Sequence, residues 1–241
     1  MSALLETYES LAAALDHTLL APELTEEQTI AGCEQARSSR IGAVTVRPCD
    51  ADTALRLLEN SGVQVASVSG FPHGSTTTAA KLYETRDLLR RGVRRIRAVV
   101  NISKLLSRQF QFVETELLQL AEACHKEGAL LEVVFENAWM SPELKIVGCR
   151  LCVRAGADFV STSTGFGPSG YALEDLRLLR QRLPETTGIR AAGVETLEQA
   201  VETFGAGAAA IGTPGPALIL EAWKLELKQR EAAAAPPAGG A

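Results

Sequence analysis

A chain of 241 residues with 46% hydrophobic and 22% charged side chains suits one α/β domain with a large core. Its net charge of −5 argues against a broad nucleic-acid or anionic-membrane surface, because phosphate backbones select basic faces, and leaves small anionic metabolites open through local positive charge. No run of about 18 apolar residues marks a membrane span and no basic segment leads into an apolar one, so the chain is expected in the cytoplasm.

After a short helix over about residues 4–13, strand-like and helix-like segments alternate at the spacing of βα units. Strands are predicted at 14–17, 43–47, 65–69, 95–101, 130–136, 159–164, 188–192 and 208–212. Eight strands with helices between them is a barrel count, so a single (β/α)8 barrel is expected over residues 1–230. Helix starts fall at Thr25 with Gln28, at Asp50 or Asp52, at Ser141 before Pro142, and at Thr196 before Glu198. The helix over 77–91 sets Lys81, Tyr83, Glu84 and Asp87 at helical intervals, which reads as a solvated face with local ion pairs. Five cysteines, Cys33, Cys49, Cys124, Cys149 and Cys152, are an odd set that fits reduced thiols, and the lone Cys149/Cys152 pair lies mid-helix on a packing face. Residues 231–241, mostly Ala, Pro and Gly, have little to bury and are expected to be a disordered tail.

The stretch 157–166, Ala-Asp-Phe-Val-Ser-Thr-Ser-Thr-Gly-Phe, reads as a buried strand running into a loop with Gly165, Gly167 and Gly170, then a helix near 173–182. Alternation puts Ser161 and Ser163 on one face and Val160 and Thr162 on the other. On the fourth strand Arg95, Arg97, Val99 and Asn101 share a face. On the fifth, Leu130, Glu132, Val134 and Glu136 oppose Leu131, Val133 and Phe135. Periodicity alone does not decide which of these faces looks inward.

With Asp16-His17-Thr18-Leu19-Leu20, Gly70-Phe71-Pro72-His73-Gly74 and Ala191-Ala192-Gly193 in order, the chain resembles the deoxyribose-phosphate aldolase family from about residue 11 to about residue 224. The resemblance implies a TIM barrel and a class I retro-aldol lyase in deoxyribonucleotide catabolism. In that reaction a lysine forms a Schiff base, and 2-deoxy-D-ribose 5-phosphate yields glyceraldehyde 3-phosphate and acetaldehyde. It also implies that the charged faces look inward, and where the machinery belongs. The Schiff-base lysine falls on Ser161, which has no amine. The second lysine falls on Arg190, which holds its proton far above neutral pH. The proton-transfer aspartate falls on Arg97 and a further lysine on Glu132, while Asp16 stays as the family has it. Acid and base have changed places between neighbouring strands, so Arg97–Glu132 is expected as a structural ion pair, with a new acid/base couple or no contact as the alternatives. Arg47, Glu136 and Ser163 are expected to complete a pocket able to hold a carboxylate or phosphate. Lys104 and Lys145 are the lysines near a plausible rim and the candidates for a displaced amine.

The family's phosphate end would fall on Gly165, Gly193, Gly212 and Thr213. Val194 and Pro214 replace a glycine and a serine there, and Glu195 adds negative charge, all of which weaken it. His17 and His73 follow the first and third strands, where they can reach the mouth, and His125 is expected to face solvent. Neither a metal site nor a cofactor is implied. The expected function is that of a degenerate aldolase-like barrel, a pseudoenzyme that binds a small anionic or phosphorylated metabolite or a partner protein. It would act as a homodimer or as a hetero-oligomer with an active paralogue; the alternative is an active lyase.

Overall fold

Strand residues that alternate toward the helices are mostly Val, Ile, Leu or Ala, with His17, Ser67, Ser69 and Thr213 among them, and the apolar ones build the core that closes the barrel. The computed structural model describes residues 5–234. The elements are α1 (Tyr8–Ala14), β1 (Leu15–Leu19), α2 (Glu26–Ser39), β2 (Ala43–Val46), α3 (Ala51–Leu57), β3 (Gln64–Ser69), α4 (Thr78–Arg91), β4 (Arg95–Val99), α5 (Ile102–Leu106), α6 (Phe110–Lys126), β5 (Leu130–Val134), α7 (Pro142–Ala155), β6 (Phe159–Ser161), α8 (Leu173–Arg182), β7 (Gly188–Ala192), α9 (Leu197–Gly205), β8 (Ala210–Thr213) and α10 (Pro216–Ala234). The eight strands pair in parallel, each with the next, and β8 returns to β1. This is the expected TIM barrel.

Val44, Ile96, Leu131, Val160, Ile189 and Ile211 pack outward against apolar helix residues such as Cys33, Leu88, Leu120, Cys149 and Leu176 in one continuous core. His17 belongs to this outward set: its ring nitrogens lie 3.3 Å from the Gly32 carbonyl and 3.1 Å from that of Pro214. It therefore cannot serve the mouth, contrary to expectation, because strand alternation turns it away from Asp16 and Thr18. His73 is exposed. His125 pairs with Asp158 at 3.0 Å on the surface, as expected.

Thr25, Ser141 and Thr196 cap α2, α7 and α9 through their side chains. Asp50 occupies the N-cap of α3 without a capping bond; its carboxylate is taken by Arg47 at 2.6 Å. Strands β4, β5 and β6 end earlier than their apolar runs suggest. Asn101 leaves the strand to cap α5, accepting from the Lys104 amide at 3.2 Å, and Glu136 turns into the left-handed region at φ 55°.

Lys81 corrects the reading of α4 as a solvated face. It is fully buried, its Nζ donating to the Val99 carbonyl and to Glu116 Oε1, each at 2.7 Å, while Thr78 holds the other Glu116 oxygen at 2.8 Å. Only Tyr83 and Asp87 behave as expected, the first exposed and the second paired with Arg90. Cys149 and Cys152 are buried on α7, and burial pushes Cys149 up to about 12 and Cys152 well above its ordinary value. At the chain's end, α10 carries helix through Ala234, four residues into the expected tail; 235–241 lie outside the described residues, as does residue 4 at the expected start of the first helix. Trp223 is fully buried and donates to the Thr7 carbonyl at 3.0 Å, locking α10 onto the start of α1. No helix among the described residues is long and apolar enough to cross a membrane.

Candidate functional site

Inward-facing positions of five strands bring together Asp16 (β1), Arg95 and Arg97 (β4), Glu132 (β5), Ser161 (β6) and Arg190 (β7). Register sets the levels: Arg97 lies beside Glu132, Ser161 beside Arg190, and Asp16 beside Gly212. The charged faces are the inward ones, as the resemblance implied. Arg97 Nε lies 3.1 Å from Glu132 Oε1, and its Nη2 contacts Asp16. Arg95 holds the other Glu132 oxygen at 3.1 Å and stacks over the Phe159 ring at 4.1 Å. Arg190 donates to Asp16 from Nε at 2.9 Å, approaches the same oxygen with Nη2 at 2.8 Å, and donates to Thr18 at 3.0 Å. Thr45 donates to Asp16 at 2.8 Å and accepts from Arg97.

None of the five charged residues is more than 7% exposed. Three guanidiniums face two carboxylates, so the cluster carries one uncompensated positive charge. Burial alone would raise the Asp16 carboxyl, but Arg97, Arg190 and Arg95 outweigh it and bring it down to about 2. Glu132 is likewise lowered against its own burial by Arg97, Arg95 and Arg190. Arg190 is lowered, first by burial and then by repulsion from Arg97. Burial is the larger cause, and the neighbouring guanidinium adds to it; Arg97, closer to both carboxylates, is raised instead.

Above the cluster opens a cavity of about 230 Å³. Arg97 and Arg190 form its floor, Phe71, Val134 and Phe166 its walls, and Gly193, Glu195 and Pro214 its rim. No lysine lines it. The chain's six lysines are Lys81, Lys104, Lys126, Lys145, Lys224 and Lys228. Lys81 is sealed against Glu116, Lys104 lies 5.3 Å over the Phe112 ring, and Lys145 binds Asp175 at 2.5 Å. Ser161 is fully buried and absent from the lining, with Arg190 Nη1 3.4 Å from its hydroxyl.

Other predicted site residues take structural posts. Arg47 points away from the cavity into the loop after β1, donating to the carbonyls of Ala21 (3.3 Å) and Leu24 (2.9 Å). Glu136 lies under the loop after β6, accepting from the Ser163 hydroxyl at 2.8 Å, the Thr164 amide at 3.0 Å and the Thr164 hydroxyl. Ser163 itself reaches the cavity wall. Gly165, Gly193 and Gly212 line the cavity, while the Thr213 hydroxyl is turned to the Gly215 amide at 3.1 Å. A Cβ on Gly212 would fall 1.8 Å from Arg190 Nη2, so this glycine makes room for a guanidinium. Arg95 was read on the face of Arg97 but not as a site residue, and Thr18 and Thr45 were not singled out, although each shares the inward parity of a neighbour that was.

The family model described as DeoC/LacD family aldolase matches residues 10–224. The chain belongs to the DeoC/LacD aldolase family. It is 37% identical over 221 residues to the deoxyribose-phosphate aldolase of Caldanaerobacter subterraneus subsp. tengcongensis, covering 91% of this chain and 96% of that one. To the deoxyribose-phosphate aldolase of Thermococcus kodakarensis it is 38% identical over 214 residues, covering 88% and 96%. Among solved structures, the tetrameric deoxyribose phosphate aldolase of Aeropyrum pernix superposes with a TM-score of 0.84 at 29% identity, covering 90% of this chain and 92% of that one. In this DeoC/LacD member, then, the barrel interior beneath the mouth is filled by a five-residue charge cluster in which every carboxylate is held by arginine.

Proposed function

We propose that this DeoC/LacD barrel performs no Schiff-base chemistry and instead binds a small anion over Arg97 and Arg190. The observation that carries this is the cavity lining, which offers two guanidiniums and no amine. Imine formation needs a neutral amine at the substrate carbonyl, and arginine keeps its proton at any accessible pH. Asp16 and Glu132, each bound by two or more arginines, are poor proton acceptors, which further supports a floor that attracts charge without relaying protons. Purified protein incubated with 2-deoxyribose 5-phosphate should release no acetaldehyde under conditions in which the Caldanaerobacter relative does; release that scales with the amount of protein would defeat the reading. A second reading, an active lyase on that substrate, is favoured by the 37% identity to a protein named for it over nearly the whole chain, and the same assay decides between the two.

A further inference from the structure

The cavity is electrically asymmetric. Its floor carries the surplus positive charge of the cluster, and Arg190 Nη1 has a single long contact, 3.4 Å to Ser161. Arg97 is engaged within the cluster, Nε and Nη2 facing Glu132 and Asp16 at ion-pair distance and Nη1 donating to Thr45. Arg190 Nη1 therefore retains capacity for an acceptor entering from above, with Arg97 adding charge beneath it. The rim is the opposite. Glu195 lines it, and the amides of the loops after β7 and β8 are already committed: Gly193 and Val194 to the Gly212 carbonyl (3.0 and 3.4 Å), Glu195 and Thr196 to Gln199 Oε1 (2.8 and 3.3 Å), Gly215 to the Thr213 hydroxyl. Pro214 has no amide to give. A phosphate at the rim would meet a carboxylate and find none of these donors free.

We propose, resting on the reading that the cavity binds an anion, that its ligand is a short amino carboxylate, carboxylate down on Arg190 and ammonium out beside Glu195. Phe71 and Phe166, in edge-to-face contact with centroids 5.4 Å apart, line one side of the methylene chain. The volume of about 230 Å³ lies below that of drug-sized pockets and suits a chain of a few carbons. The charge order of floor and rim selects against a second negative group at the far end, whether carboxylate or phosphate.

Isothermal titration of the full chain with 4-aminobutyrate, butyrate, glutarate and butyl phosphate tests this. The expected order places 4-aminobutyrate first, with glutarate and butyl phosphate weaker by about tenfold or more. Glu195→Gln, a change on the exposed rim, should shrink that gap to within about threefold while carboxylate binding persists. Arg190→Gln should abolish binding of all four probes. Glutarate or butyl phosphate binding the unmodified protein as tightly as 4-aminobutyrate, or a gap unchanged in Glu195→Gln, overturns the amino carboxylate assignment and leaves anion binding intact. No binding by any probe overturns both.

Discussion

Arg97 and Glu132 stand at one level of neighbouring strands, Nε 3.1 Å from Oε1, each no more than 2% exposed. Either charge alone in that place would cost several kcal/mol; together, with Arg95, Asp16 and Arg190, they offset one another but for one positive charge. Replacing one partner should therefore hurt more than replacing both. Glu132→Leu is expected to lose about 3–5 kcal/mol, because three guanidiniums then share one carboxylate. The pair Arg97→Met with Glu132→Leu should lose clearly less than the sum of the single changes, as read by urea unfolding in a double-mutant cycle.

The same cluster sets an acid limit. Asp16 is lowered from an ordinary 3.8 to about 2 by the arginines that outweigh its burial, and Glu132 is lowered in the same way. A carboxyl depressed in the folded state contributes stability that is complete above its unfolded value and is lost as pH falls through the folded one. Stability should hold to about pH 4 and then decline toward pH 2, with Asp16 alone accounting for about 2 kcal/mol. Asp16→Asn should be less stable at neutral pH and show a shallower decline below pH 4, measured by thermal unfolding across the series.

Gly212 separates the floor from the fold. Its absent Cβ is what lets Arg190 Nη2 lie where it does, since a methyl there would sit 1.8 Å away. Gly212→Ala should push the guanidinium off Asp16 and weaken binding of a small carboxylate by more than tenfold, roughly the worth of one charged hydrogen bond. Titration against the unmodified protein checks this, with circular dichroism to show that the barrel persists.

A second buried pair lies outside the barrel. Lys81 and Glu116 are joined at 2.7 Å with 0% and 1% side-chain exposure. Glu116→Leu should cost about 3–5 kcal/mol by stranding a buried ammonium. The double change Lys81→Met with Glu116→Leu should restore most of that, which urea midpoints would show.

Much of the barrel could be read from the chain because apolar periodicity and βα spacing repeat eight times. Arg97, Glu132 and Asp16 were legible as inward charges through strand parity together with the family blocks. What escaped was long-range pairing. Lys81 shares the period of Tyr83 and Asp87 on α4, and nothing local shows that Glu116, 35 residues on, takes its ammonium. Arg47 was placed at the mouth by its position after β2, but carbonyls freed in the loop after β1 compete for its guanidinium and win. Glu136 was expected to continue an inward face; its left-handed backbone instead aims the carboxylate at Ser163 and Thr164. Gly212 was read as close backbone approach to a phosphate, whereas the space it leaves is filled by Arg190.

Borohydride trapping tests the central claim most directly. The protein is reduced in the presence of acetaldehyde or 2-deoxyribose 5-phosphate and read by intact mass, with the Caldanaerobacter relative as positive control. The account predicts no increase in mass while the control gains the reduced adduct. An adduct mapped by peptide analysis to Lys104 or Lys145 would contradict it, because it would place a reactive amine within reach of substrate and return the barrel to the catalysts.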